Sequence, residues 1–206
     1  MLAGPPEPGF SRSVTPGLVK NYTGKFGWGT GGRLGGWQRM VGGIPADLRQ
    51  QAGGELKLLD SVNGFFNRLP FVSDMEHWQV DDYWASPAEM LASDGGDCED
   101  FAIAKYFTLK ELGVPIERLR ITYVKAVRLD IMHMVLAYYP APDAVPLIMD
   151  NLDGRIRPAS DRPDLVPVYT FNDDDLRLSE QRVGVSPLNL RMWSTLMDRL
   201  QKELLY

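Results

Sequence analysis

The chain has one cysteine, Cys98, in the run GGDCEDFA, with Asp97, Glu99 and Asp100 beside it. A thiol does chemistry as its thiolate, so it needs a base to take the proton and a third group to orient that base. The base must be a histidine, and there are two. His77 lies in the polar stretch SDMEHWQV, whereas His133 lies in the apolar IMHMVLAYY, where an imidazole costs free energy unless it has partners. His133 is the stronger candidate. Asp150 closes the next apolar run, PLIMD, and a carboxylate at the buried end of a strand is most economically explained by a partner, such as an imidazole to be oriented. Cys98, His133 and Asp150 thus stand in the order nucleophile, base, orienter. Each also has an ordinary reading: a small core residue, a satisfied strand histidine, an aspartate that starts a turn before Asn151. The case for nucleophilic catalysis rests on the three together.

The elements around these residues give them plausible positions. Ser86-Pro87-Ala88-Glu89 predicts a short helix with a capping box, and Gly95-Gly96 ends it. Asp97 then caps a helix running to Gly113, apolar on most sides and therefore central, with Cys98 in its first turn. LRITYVKAV, IMHMVLAYY and VPLIMDN predict three antiparallel strands, and alternation sets His133 on one face with Val135, Ala137 and Tyr139. Upstream, Leu48, Leu56, Leu59, Val62 and Phe66 suit one or two amphipathic helices between Pro45 and Asn67. The first 43 residues, crowded with glycine, read as an extended arm with short turns that packs through Phe26, Trp28 and Trp37. The end, SPLNLRMWSTLMDRLQKELLY, predicts a helix with a Ser-Pro start and an apolar stripe of Leu188, Met192, Leu196 and Leu200. The division is thus an arm over 1–43 and one α+β domain over 44–206.

At 206 residues and 44% hydrophobic, the chain can bury one substantial core. A net charge of -5, with no like-charge run longer than Asp173–Asp175, gives no nucleic-acid surface. One cysteine excludes an internal disulfide framework and a cysteine-rich metal cluster. No apolar run reaches the length of a membrane-spanning helix. The start, MLAGPPEPGF, lacks a basic-then-apolar signal sequence and is compatible with a cloning remnant ahead of a mature protein whose leader is gone.

The run DDYWASPAEMLASDGGDCEDFAIAKYFTLKELGVP, then HMVLAYY, then LIMDN resembles the papain-like transglutaminase core, and specifically the LapG-type bacterial transglutaminase-like cysteine proteinases. The likeness covers roughly Leu56 to Asn172. The order Cys, His, Asp is shared with other families; the DCED and HMVL contexts and the intervals of 35 and 17 residues narrow it. The resemblance implies an α+β papain-like transglutaminase fold, with a helical N-terminal part carrying the nucleophile packed on an antiparallel sheet. It implies peptide hydrolysis by the triad Cys98, His133 and Asp150 and dependence on calcium, with Asp97, Glu99 and Asp100 as the matching acids.

That implication meets the acids from the physical side. One negative charge about 6–8 Å from a thiolate raises its free energy by roughly 2 kcal/mol at an effective dielectric near 20, more than one pKa unit. A helix dipole returns only about 0.3–1 kcal/mol. A bound dication would reverse the balance, and oxygen-only donors favour a hard ion such as calcium. The acids also read simply as helix caps, a role compatible with the first for Asp97.

The resemblance further implies a periplasmic enzyme that cuts a large bacterial surface adhesin near its N-terminal retention module, shedding the adhesin and dispersing the biofilm. It implies an inhibitory partner, the periplasmic domain of an inner-membrane receptor for cyclic di-GMP. Two other functions fit the same residues: acyl transfer to an amine, as in transglutaminases, and an inactive transglutaminase-like binding module, although no triad residue is missing.

Overall fold

The structure, a computed structural model, describes residues 14–173 and 187–206. Its centre is a five-stranded antiparallel sheet in the order β4-β3-β2-β1-β5. The strands are β1 (Leu119–Ala126), β2 (Ile131–Tyr138), β3 (Leu147–Met149), β4 (Arg157–Pro158) and β5 (Leu165–Phe171). The three expected strands form as expected, and Val124 pairs with His133 while Leu136 pairs with Met149. β4 and β5 extend the sheet at its two edges. Pro167 sits in β5 opposite Val124, where the register shifts, because a residue without an N–H cannot continue a regular ladder.

The helix after the glycine pair is α6 (Cys98–Glu111) in the series α1 (Pro16–Phe26), α2 (Thr30–Gly42), α3 (Gly54–Phe66), α4 (Asp74–His77), α5 (Pro87–Ser93), α6. α6 is buried along Asp100–Leu109, as its apolar composition requires, and packs on β1 and β2. Ser86 caps α5 through the expected box with Glu89. Between α5 and α6, Gly95 adopts φ 145° with the Pro70 carbonyl oxygen 2.7 Å from where a Cβ would stand, so only glycine fits there.

The N-terminal segment is not the expected extended arm. From Pro16 it forms α1 and α2, and Leu18, Tyr22, Leu34 and Trp37 belong to the same buried core as α6 and the sheet. Thr30, Leu34 and Trp37 recur at helical spacing, and the glycines between them fall on the less buried faces. Propensity loses to packing here: each glycine costs about 1 kcal/mol in helix propensity relative to alanine, against several for burying Trp37. Of the three expected anchors, Trp37 is buried and Phe26 packs on the core, but Trp28 is 94% exposed. Arg33 further joins α2 to α5 by donating to the Leu91 and Ala92 carbonyls, which the end of a short helix leaves without intrahelical donors.

The C-terminal helix, α7 (Pro187–Glu203), sets Trp193, Leu196 and Leu200 into the core. Trp193 meets Trp84, Tyr106, Phe107 and Phe171, so one indole ties α7 to α6 and to β5. Ser186, expected to start this helix, and the side chain of Leu188 lie outside the described residues, as do residues 1–13. Among the described residues no helix is long and apolar enough to cross a membrane.

Candidate active site

Strand pairing brings two of the three candidate catalytic residues into direct contact. β2 carries His133 near its start, β3 ends at Met149, and Asp150 follows immediately. His133 Nε2 and Asp150 Oδ1 are 2.8 Å apart, with both residues almost wholly buried. Asp150 also accepts from the Leu152 N–H at 2.9 Å and from Arg162 Nη2 at 2.8 Å. These donors outweigh the cost of burial, and the carboxyl titrates at about 2. An ionised, fully bonded carboxylate fixes the imidazole by one ring nitrogen and leaves Nδ1 as the nitrogen able to exchange a proton.

Cys98 lies at the first position of α6, as expected. Its thiol donates to Glu99 Oε2 at 3.0 Å and receives a hydrogen bond from the backbone N–H of Met134, the residue after His133. The sulfur therefore reaches β2 beside the candidate base, but its side-chain partner is a carboxylate. Burial pushes the thiol well above its ordinary pKa, and the charges of Glu99 and Asp97 push it further. His77, the other histidine, stacks on Trp78 and sets Nε2 3.3 Å from the Ser93 carbonyl, contacts of a packing residue.

The acids beside the thiol have company that sequence alone does not reveal. Asp74, Asp97 and Asp100 bring carboxylate oxygens within 4.8 Å of one another, and so do Asp74, Asp82 and Glu99. Asp74 is common to both groups. α4 and the segment before α5 supply Asp74 and Asp82, and a separation of 24 residues between Asp74 and Cys98 follows no motif. Asp100, fully buried, accepts from the N–H groups of Ala85 at 2.7 Å and of Asp97 at 3.3 Å, so both of its oxygens have donors. Oδ1 of Asp74, Asp82 and Asp97 is in each case buried with no hydrogen-bond partner among the described residues. Burial raises the pKa of Asp74 to about 6, and burial with neighbouring charge raises those of Asp82, Asp97 and Asp100. Hard oxygen donors, converging and short of partners, fit a hard divalent cation.

A family model for bacterial transglutaminase-like cysteine proteinases matches residues 45–166. The chain is also 40% identical to calcium-bound LapG of Legionella pneumophila, with a TM-score of 0.69 over 91% of this chain and 99% of that one. The chain belongs to the bacterial transglutaminase-like cysteine proteinases.

Two further Legionella pneumophila LapG structures agree with this assignment. One has a TM-score of 0.69 and the other, EGTA-treated, 0.70; each is 37% identical over 89% of this chain and 96% of the other. No curated protein sequence matches. Besides Asp74 and Asp82, Arg162 at the candidate site has no signal in the sequence: it is 4% exposed and follows a short helical turn.

Proposed function

We propose that this chain is a calcium-dependent cysteine endopeptidase in which Cys98 is the nucleophile, His133 the base and Asp150 the residue that orients it. The observation that carries the reading is the buried His133–Asp150 pair, one residue along β2 from the N–H that meets the Cys98 thiol. His133 takes the thiol proton at Nδ1, the thiolate attacks the scissile carbonyl to form a thioester, and the imidazolium returns the proton to the leaving amine. Water then hydrolyses the thioester with the same imidazole as base. Asp150, held by Arg162 and the Leu152 amide, keeps the ring in place through both halves.

Asp97, Glu99 and Asp100, with Asp74 and Asp82 added from the structure, would hold the calcium. When bound, the ion supplies positive charge beside a thiol that burial and carboxylates otherwise keep protonated. One related LapG structure is calcium-bound and another is EGTA-treated, which supports a calcium site in this chain.

The substrate is the N-terminal region of a large bacterial surface adhesin, cut in the periplasm so that the adhesin is shed and the biofilm disperses. The periplasmic domain of a cyclic di-GMP receptor sequesters the enzyme when the second messenger is abundant. Kinship with the LapG-type proteinases supports both statements. Incubating the protein with a recombinant adhesin N-terminus, with calcium or with chelator, tests them by intact mass. Two fragments summing to substrate plus one water, formed only with calcium, are expected; an uncut substrate that gains an amine adduct would overturn hydrolysis in favour of acyl transfer.

A further inference from the structure

A tetrahedral intermediate on Cys98 places a negative charge on the former carbonyl oxygen, and the carboxylates of Asp97, Glu99 and Asp100 beside the thiol repel it. The backbone N–H of Cys98, at the first position of α6, has no acceptor within the helix and is one donor available to that oxygen. Tyr123 offers a second. β1 pairs Tyr123 with Met134 of β2, the residue whose N–H reaches the Cys98 sulfur. Directly opposed residues of an antiparallel pair share one face of the sheet, and Tyr123, Met134 and Cys98 pack on the same core cluster. On its other side Tyr123 pairs with Tyr169 of β5, and the two rings stack with centroids 5.0 Å apart, which fixes the plane of the Tyr123 ring. Tyr123 is only partly buried, so a bound polypeptide can reach it.

The hydroxyl of a tyrosine is protonated at neutral pH and so is a donor. Burial raises the Tyr123 phenol above its ordinary pKa, and the charges of Cys98, Glu99 and Asp82 raise it further, which keeps that donor in place. Other donors near the acids are taken. Gln79 gives its amide to the Met75 and Glu76 carbonyls at 2.9 and 3.1 Å, and Trp84 gives its indole N–H to Asp82. We propose that Tyr123 is a catalytic residue whose hydroxyl donates a hydrogen bond to the oxyanion formed when Cys98 attacks the scissile carbonyl. The inference rests on the proposed proteinase chemistry. As the C–S bond forms, the carbonyl π pair moves onto oxygen, which then accepts from Tyr123 and from the Cys98 N–H. As the C–N bond breaks, that pair returns and the amine leaves with the proton from His133. Tyr123 keeps its own proton throughout.

Tyr123→Phe removes the hydroxyl and keeps a ring to stack on Tyr169. With calcium and a recombinant adhesin N-terminus, kcat should fall about 10²-fold, the usual loss for one oxyanion donor, with KM little changed. Alkylation of Cys98 by iodoacetamide, a displacement at carbon that forms no oxyanion, should run at the wild-type rate. An unchanged kcat would overturn the proposal. So would alkylation slowed as much as cleavage, because the hydroxyl would then act on the thiol and not on the carbonyl oxygen. If the phenylalanine variant does not fold, Tyr123→His and Tyr123→Met compare a donor with a donor-free side chain at this position, and equal kcat values would overturn the proposal. A wild-type protein that is alkylated but cuts no polypeptide would sink the proteinase reading and this inference with it. Wild-type cleavage that Tyr123→Phe leaves unchanged would sink this inference alone.

Discussion

Asp150 receives donors from a histidine, a backbone amide and an arginine, and its lowered pKa has a direct consequence for stability. A carboxyl that titrates lower when folded than when unfolded contributes stability that is present above the unfolded value of about 3.9 and lost as pH falls through about 2. Asp150→Asn should remove part of the acid unfolding limb, measured by circular dichroism between pH 5 and 2, and should reduce kcat on an adhesin fragment. Cys98→Ala and His133→Ala should each lower kcat by about 10³-fold or more with the folded circular-dichroism spectrum retained, while His77→Ala should change kcat little. Wild-type turnover in Cys98→Ala would refute the mechanism. At the acid cluster, Asp74→Asn should weaken calcium binding about tenfold in calorimetric titration, because charge count sets affinity at such sites. Affinity unchanged by that substitution would confine the site to the DCED segment. Cys98, His133 and Asp150 were legible in the sequence because each breaks a local pattern: a thiol among acids, an imidazole and a carboxylate in apolar runs. Asp74, Asp82 and Arg162 break none, and only the folding of α4 and of the loops around them brings them near.

The elements show the same division. α5, α6 and the three central strands were readable from capping residues and periodicity, and the structure places them within a residue or two of expectation. α1 and α2 were not, because seven glycines between Gly24 and Gly36 outweighed the spacing of Thr30, Leu34 and Trp37. Helix formation there depends on the rest of the fold. Trp37 is fully buried and donates Nε1 to Thr108 of α6 at 3.1 Å. Trp37→Ala should therefore cost about 3–5 kcal/mol in urea unfolding, a value typical of core indoles and far above that of a surface arm. A loss below about 1 kcal/mol would mean that α2 is dispensable to the core.

Over the whole molecule, the first and last described helices meet through a buried carboxyl. Glu203 of α7 accepts from Tyr22 of α1 at 2.6 Å and from Ser86 at the start of α5, with Glu89 and Arg199 also acting on it. Burial raises its pKa to about 7 from an ordinary 4.5. A carboxyl that titrates higher when folded contributes stability that is complete below about 4.5 and is lost as pH rises through about 7. The melting temperature should accordingly fall as pH rises from about 4.5 to about 7, and Glu203→Gln should flatten that slope; an unchanged slope would assign the effect to other groups. None of this was legible in the sequence, since Tyr22 and Glu203 stand 181 residues apart.

The carboxylates around Cys98 also bear on how long the protein survives between substrates. Peroxide attacks thiolates, not thiols, and a cysteine that passes sulfenic acid to the sulfinic state is lost to catalysis. A thiol held protonated by burial and by Glu99 is a poor target, so the calcium-free protein should resist hydrogen peroxide, and loading with calcium should speed oxidation of Cys98 along with its alkylation. Peptide mass spectrometry after timed peroxide exposure, in calcium and in chelator, would show the difference as the rate of oxygen addition at Cys98. Resistance to oxidative ageing would then be a built-in property of the resting state, surrendered only while the enzyme is at work.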